Sequence, residues 1–159
     1  MTTETAKRSA IDVEHLLDMT VELEPPQVIG TRFGTRMNSI VRTGHFEGDR
    51  LRGEVLPGGG DWMLLGDDRV GQMDVRATLR TDDDELIHMA ASGVAAIPEE
   101  ASKRFAAGER VAVDEMYTRS VIRFETGAER YAWLNSLVTV AFNELVGIER
   151  MDYFAYRVL

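Results

Sequence analysis

Gln72-Met73-Asp74-Val75-Arg76-Ala77-Thr78-Leu79-Arg80 is the stretch whose alternation sets the fold class. Met73, Val75, Ala77 and Leu79 share one face of an extended chain, and Asp74, Arg76, Thr78 and Arg80 share the other, which is the two-residue period of a half-buried strand. Thr81-Asp82-Asp83-Asp84 then supplies turn-forming residues, and Glu85 to Gly93 returns as the hairpin partner. Upstream, Val13, Leu17, Met19, Val21 and Leu23 alternate with polar residues up to Pro25-Pro26. His15 interrupts that apolar face and Leu16 sits on the polar one, so the start of this strand stays open. From Arg36 to Val55, two β-rich runs flank Thr43-Gly44-His45-Phe46-Glu47-Gly48-Asp49 and predict a second hairpin. Further β-rich segments cover Val111 to Phe124, Tyr131 to Phe142 and Val146 to Val158. Pro98 to Gly108 alone reads as a helix, with proline and acids opening it, bases following and glycine closing it.

About eight to nine short strands with one short helix predict an all-β chain, and a single small antiparallel β-barrel in particular, because closure removes exposed sheet edges. The expected organisation is a flexible N-terminal tail at 1–10 and one β-barrel domain at 11–159. Such a barrel has room for one small ligand, lined by alternate residues of every strand.

With 18 basic against 27 acidic side chains the formal charge is −9, which argues against binding a phosphate backbone. The absence of cysteine removes disulfides, thiolate metal sites and cysteine nucleophiles, and fits a cytoplasmic location. No apolar run approaches the roughly 18 residues of a membrane-spanning helix, and the first residues lack a signal-peptide core. His15, His45 and His88 are too dispersed for a metal site, and Asp82, Asp83 and Asp84 do not continue into a calcium loop. No nucleophile elbow, phosphate loop or dinucleotide fingerprint appears, so neither metal nor cofactor is expected.

Leu56-Pro57-Gly58-Gly59-Gly60-Asp61-Trp62 is the most unusual stretch: consecutive glycines permit close backbone approach, and a carboxylate and an indole follow at once. It reads as a pocket edge, or equally as a glycine turn with Asp61 capping backbone N–H groups and Trp62 in the core. Asp74, Arg76 and Thr78 form a polar row that faces either solvent or a wet interior. His88 lies between Leu86 and Ala90 on one face, as a core histidine or a general base. Tyr117, Arg119, Val121, Arg123 and Glu125 share a face if extended, mixing anion-binding and acid/base groups, although surface ion pairs explain the charged members equally well. Tyr131, Trp133 and Asn135 would likewise form an aromatic wall ending in an amide, with ordinary core packing as the competing account.

Taken in order, these stretches resemble the domain-of-unknown-function family 3237, small bacterial and fungal proteins of the UPF0311 kind. The resemblance rests on Gly34-Thr35-Arg36, Phe46-Glu47-Gly48, Leu51-Arg52-Gly53, Val55-Leu56-Pro57-Gly58-Gly59 with Asp61-Trp62, Asp74 with Arg76, and Thr81-Asp82-Asp83. Tyr117 with Arg119, Phe124-Glu125-Thr126 and Tyr131-Ala132-Trp133-Leu134-Asn135 complete it. It implies a single barrel similar to calycin or allene-oxide-cyclase barrels, with a central cavity. Against the family pattern, Asp84 and Arg69 stand at positions usually held by glycine, and Ala77 stands at a usual tyrosine. An inward Ala77 would give a larger or differently shaped site.

The expected function is a cofactor-free acid/base enzyme, an isomerase, cyclase or hydratase/dehydratase, acting on a hydrophobic oxygenated small molecule in the barrel. Arg76 or Arg119 would hold an enolate or carboxylate, and Asp61 or Glu125 would move the proton. Trp62, Tyr131 and Trp133 would pack the substrate, Asn135 would donate to its carbonyl, and His88 and Tyr117 complete the binding set. The alternative is a lipocalin-like carrier that binds such a molecule unchanged, and a third reading is an oligomeric interaction module. Nucleic acid and membrane are not expected partners; self-association through a strand or barrel face is compatible with the sequence.

Overall fold

The structure, a computed structural model, describes residues 10–159, so all but Ala10 of the tail expected at 1–10 lies outside the described residues. Ten strands are β1 (Val13–Leu23), β2 (Gln27–Thr31), β3 (Gly34–Glu47), β4 (Arg52–Val55), β5 (Gly60–Leu65), β6 (Val70–Thr81), β7 (Leu86–Ala96), β8 (Tyr117–Glu125), β9 (Thr139–Gly147) and β10 (Arg150–Val158). Helix α1 (Glu99–Ala106) and 3-10 turns at Val113–Glu115 and Glu129–Ser136 complete the chain. The order β1-β10-β9-β8-β7-β6-β4-β3 is antiparallel, and β1 pairing with β3 closes it into a barrel. β5 continues the position of β4 between β3 and β6, giving eight positions around the barrel, while β2 pairs with β3 beyond the rim.

The open phase at the start of β1 has a physical cause. Its register against β10 shifts between His15 and Leu17, so Leu16 and Leu17 both turn inward, 6% and 1% exposed. An inserted residue of this kind bends the strand and restarts its alternation.

Several boundaries differ from the sequence pattern. The expected turn at Thr43–Asp49 lies at Gly48–Leu51 instead, because Thr43 to Glu47 continue β3, pairing with β1 throughout and with β4 from Gly44 onward. Gly44 serves close approach rather than turning: a Cβ there would lie 2.5 Å from the Thr20 carbonyl oxygen. The expected strand from Tyr131 begins only at Thr139. Glu129–Ser136 is a 3-10 helix, in which Tyr131 and Leu134, three residues apart, bury on one side. The expected strand from Val111 starts at Tyr117; Val111 contributes one bridge to Leu145. The glycine stretch leads directly into β5, and β2 was not foreshadowed.

The barrel interior divides along its axis. Its lower end is packed solid by Leu17, Phe46, Leu79, Ile87 and Phe124 and sealed by Tyr131 and Leu134 of the 3-10 helix. Each such side chain contributes about 1.5–3 kcal/mol on burial. The upper half presents smaller groups to the axis, including Ser39, Ala77, Ala91, Ala95 and Ser120, and these leave open space. Helix α1 covers part of the upper rim, packing Ala101 against Val111, Met116 and Leu145.

Candidate active site

The open space is a cavity of about 300 Å³, within the lower range of small-molecule sites. Its wall is mostly aliphatic and thioether, with Met19, Met37, Met63, Met73, Met89 and Met151 contributing. Methionine adapts its shape to irregular ligands. Against this wall stand a few polar groups: Asp61, Ser39, Ser120, Asn143 and Tyr153.

Asp61 owes its position to the glycines before it. A Cβ on Gly59 would lie 2.5 Å from the Arg76 carbonyl oxygen, and one on Gly60 would lie 2.4 Å from that of Ser39, so a chain with side chains there could not press between β3 and β6. The β5–β6 ladder pairs Asp61 with Val75 and Leu64 with Gln72. In the interval between them the Asp74 N–H donates to Asp61 Oδ1 at 3.0 Å. One carboxylate oxygen therefore caps backbone, as one reading of the glycine stretch had it, while the side chain also lines the cavity. Burial pushes the Asp61 carboxyl up to about 6; the Asp74 N–H opposes the rise and the Asp74 charge adds to it.

Tyr153 and Asn143 face each other's strands across the β9–β10 ladder. Burial, and secondarily the charge of Asp61, hold the Tyr153 phenol well above its ordinary value, so it remains a proton-bearing donor. Its hydroxyl has only a Met151 sulfur at 3.6 Å. Among the described residues, no protein group hydrogen-bonds the Asn143 amide or the Ser39 and Ser120 hydroxyls, whereas the Thr118 hydroxyl is engaged with the Asn143 backbone. Unpartnered polar groups within an apolar wall are costly unless something in the cavity satisfies them.

Of the residues given catalytic or binding roles from the sequence, Asp61 lines this cavity and the others lie elsewhere. Even-numbered residues of β6 point outward, so Arg76 sits on the outer face beside Asp74, half-exposed. On β8 the inward set is Thr118, Ser120 and Ile122, which leaves Arg119 and Glu125 outside. The Arg119 guanidinium donates to the Thr118 carbonyl at 2.7 Å and lies over the rings of Tyr117 and Phe142. His88 is exposed on β7, paired in register with Glu125. Trp62 is on the outer side of β5, its carbonyl accepting from Arg36 at 2.6 Å.

Three more belong to the sealed lower end. Tyr131 donates to Asp83 Oδ1 at 2.7 Å, and Asp83 also accepts from Thr81 and Arg130, tying the 3-10 helix to the β6–β7 turn. These bonds, Thr81 foremost, hold the Asp83 carboxyl down at about 2. Trp133 carries the Arg50 guanidinium 3.8 Å above its ring. The Asn135 amide clamps the Thr126 backbone, donating at 2.9 Å and accepting at 2.8 Å. Ser39, Ser120, Asn143 and Tyr153 were missed, although a signal existed: each is a polar residue on an inward-facing row, as Asn143 is between Ala141 and Leu145. Ala77 does line the cavity, so the wall is open at the position where the resemblance leads one to expect tyrosine. Among the described residues no group of three or more His, Cys, Asp or Glu comes together around a possible metal position, and no helix is long and apolar enough to cross a membrane.

A closed antiparallel barrel, plugged at one end and holding a mostly apolar cavity with a raised-pKa carboxylate, defines the class of protein. The chain belongs to the family described as protein of unknown function (DUF3237), whose model matches residues 11–158. A UPF0311 protein of Rhodopseudomonas palustris is 30% identical over 67% of this chain and 68% of its own length. PR-toxin biosynthesis cluster protein 7 of Penicillium roqueforti is 27% identical over 65% of this chain and 54% of that protein. Among solved structures, the conserved protein of unknown function from R. palustris superposes with a TM-score of 0.88 at 23% identity, covering 94% of this chain and 99% of that one. A β-barrel-like protein from Acinetobacter baumannii gives 0.79 at 30% identity, covering 97% and 99%. A structure described as an enzyme from Penicillium herquei gives 0.70 at 18% identity, covering 97% and 98%.

Proposed function

We propose that the protein is an acid/base enzyme that isomerises, cyclises, hydrates or dehydrates a hydrophobic oxygenated small molecule held in the barrel cavity. The observation that carries this reading is Asp61, a carboxylate in a mostly apolar wall whose pKa of about 6 places it near neutrality, where a general base works best. In the proposed chemistry, Asp61 takes a proton from a carbon next to the substrate carbonyl or from a hydroxyl. The oxygen that gains negative charge accepts hydrogen bonds from the Tyr153 hydroxyl and the Asn143 amide, which have no such acceptor in the protein. In an isomerisation or cyclisation the proton then returns from Asp61 to a different atom of the substrate. In a dehydration it passes to the departing hydroxyl as the C–O bond breaks and leaves as water; hydration is the reverse, with one bound water as co-reactant. The surrounding methionines and aliphatic side chains limit bulk water and accommodate the ring or chain. The P. herquei barrel described as an enzyme and the P. roqueforti relative named for a toxin biosynthesis cluster support a small-molecule role.

A carrier reading draws on the same predominantly apolar wall. Mass spectrometry separates the two after incubating a mixed library of aromatic, polyketide-like and terpenoid ketones and lactones with wild type and with Asp61→Asn. A product made by wild type and lost in Asp61→Asn, with the parent compound still retained, supports catalysis. One compound retained unchanged by both proteins, with no product from either, rejects the enzyme reading in favour of a carrier.

A further inference from the structure

Arg69 is the one cationic side chain lining the cavity among the described residues, and it reaches the mouth from a backbone position that disfavours it. The β5–β6 turn is tight: Gly66 N–H donates to the Val70 carbonyl, Arg69 N–H donates to the Gly66 carbonyl, and the Asp68 carboxylate accepts from Val70 N–H. This closure puts Arg69 at φ 65°, in the left-handed region where a long side chain is strained and glycine is not. Asp84, at φ 64°, is the other non-glycine residue so placed among the described residues, and a short aspartate tolerates that region far better.

The guanidinium also stands without a partner. Arg42, Arg80, Arg104, Arg110 and Arg157 each hold a carboxylate, whereas the Arg69 guanidinium forms no hydrogen bond or ion pair with any described residue. Acids are nearby, with Asp67 and Asp68 in the same turn and Glu24 on the cavity rim. Asp68 is engaged with the Val70 backbone, and Glu24 lends its charge to Arg42. Below Arg69 the wall is apolar through Leu65 and Met73 before the polar groups around Asp61. The mouth thus offers one guanidinium that no carboxylate pairs with, above an apolar chamber.

We propose that Arg69 is a specificity-determining residue that binds the anionic group of an organic acid, a carboxylate or comparable oxyanion, whose apolar body enters the chamber. This deepens the reading of the cavity as the substrate site and rests on it, but it does not depend on proton transfer by Asp61. An oxyanion at the mouth fixes the depth and direction of the ligand, so its reacting end is presented to Asp61, Tyr153 and Asn143.

The test uses two fluorescent probes with the same ring systems, 8-anilinonaphthalene-1-sulfonate, which is anionic, and N-phenyl-1-naphthylamine, which is not. Each is titrated into wild type, Arg69→Gly, Arg69→Asn and Arg69→Lys. Glycine and asparagine both suit the left-handed backbone, so these variants are expected to melt no lower than wild type. Loss of one charge-assisted contact is expected to weaken the anionic probe about tenfold in Arg69→Gly and Arg69→Asn. Arg69→Lys should retain part of that affinity, and the neutral probe should bind all four proteins alike. Equal affinity of wild type and the neutral variants for the anionic probe overturns the proposal, as does an equal loss of both probes or failure of wild type to bind either. Asp61→Asn removes a negative charge from the same cavity and should therefore hold or raise the preference for the anionic probe while turnover is lost. Absence of turnover thus leaves anion recognition standing, and an unchanged ratio in Arg69→Gly leaves the Asp61 chemistry standing.

Discussion

Replacing Asp61 by asparagine removes a charge while keeping an oxygen that can accept from Asp74 N–H, so the variant isolates what ionising this half-buried carboxylate costs the fold. The carboxyl titrates at about 6 in the folded chain against 3.8 when unperturbed, so the native state binds the proton more tightly than the unfolded state. The penalty is therefore fully present above pH 6 and fades as pH falls from about 6 to below about 4. At about 1.4 kcal/mol per unit, the shift corresponds to about 3 kcal/mol, and water reaching the cavity from its open end reduces this to about 1–2 kcal/mol. Urea unfolding at pH 8 should show Asp61→Asn more stable than wild type by that amount, with the two curves converging at pH 3.5. Activity should move the opposite way, with turnover lost while binding is retained, the usual conflict between a functional group and stability. A variant no more stable than wild type at pH 8, or a gain that persists unchanged at pH 3.5, would refute the assignment of Asp61 as a desolvated carboxylate.

Other substitutions probe the remaining architecture. Tyr131→Phe should cost about 1–2 kcal/mol in urea unfolding, because it removes the hydroxyl that ties the 3-10 helix to Asp83. Leu134→Ala, at a position with 0% exposure, should cost about 2–5 kcal/mol and admit solvent at the sealed end, read as lowered melting temperature and faster amide exchange nearby. Arg76→Ala and Glu125→Gln should each change stability by less than about 0.5 kcal/mol and leave ligand retention intact, since both side chains are exposed on the outer face. Asp83 and Glu115, both held at about 2, contribute stability above the ordinary carboxylate range that is lost as pH falls through 2. Acid titration of Asp83→Asn should accordingly be shallower than that of wild type below pH 4.

The alternation in β1 and β6 was legible because each carries apolar residues on the barrel side and polar ones outside, the pattern that a single buried face imposes. β7, largely apolar on both faces, was legible only as the hairpin partner after the Thr81–Asp84 turn. The helix at Pro98 to Gly108 was legible from its proline, charge order and glycine. The 3-10 helix at Glu129–Ser136 was not, because Tyr131, Trp133 and Asn135 mimic a two-residue period while the residues that bury are Tyr131 and Leu134. The hairpin at Thr43–Asp49 was misplaced because a glycine in β3 answers to the Thr20 carbonyl on a distant strand, and local composition carries no record of that neighbour.

The sequence by itself determined the class of fold, the turn at Thr81–Asp84 and the prominence of the glycine stretch leading to Asp61. These follow from local sterics and from the period of the apolar residues, which every short window contains. Tertiary structure alone decided which polar groups meet. Asn143 and Tyr153 already meet across the β9–β10 hairpin, but Asp61, remote along the chain, joins them in one cavity only when β1 pairs with β3 and closes the barrel. Closure likewise put Arg76, Arg119 and Glu125 on the outside, because a strand's inward face is fixed by the neighbours it pairs with and not by the chemistry of its own side chains.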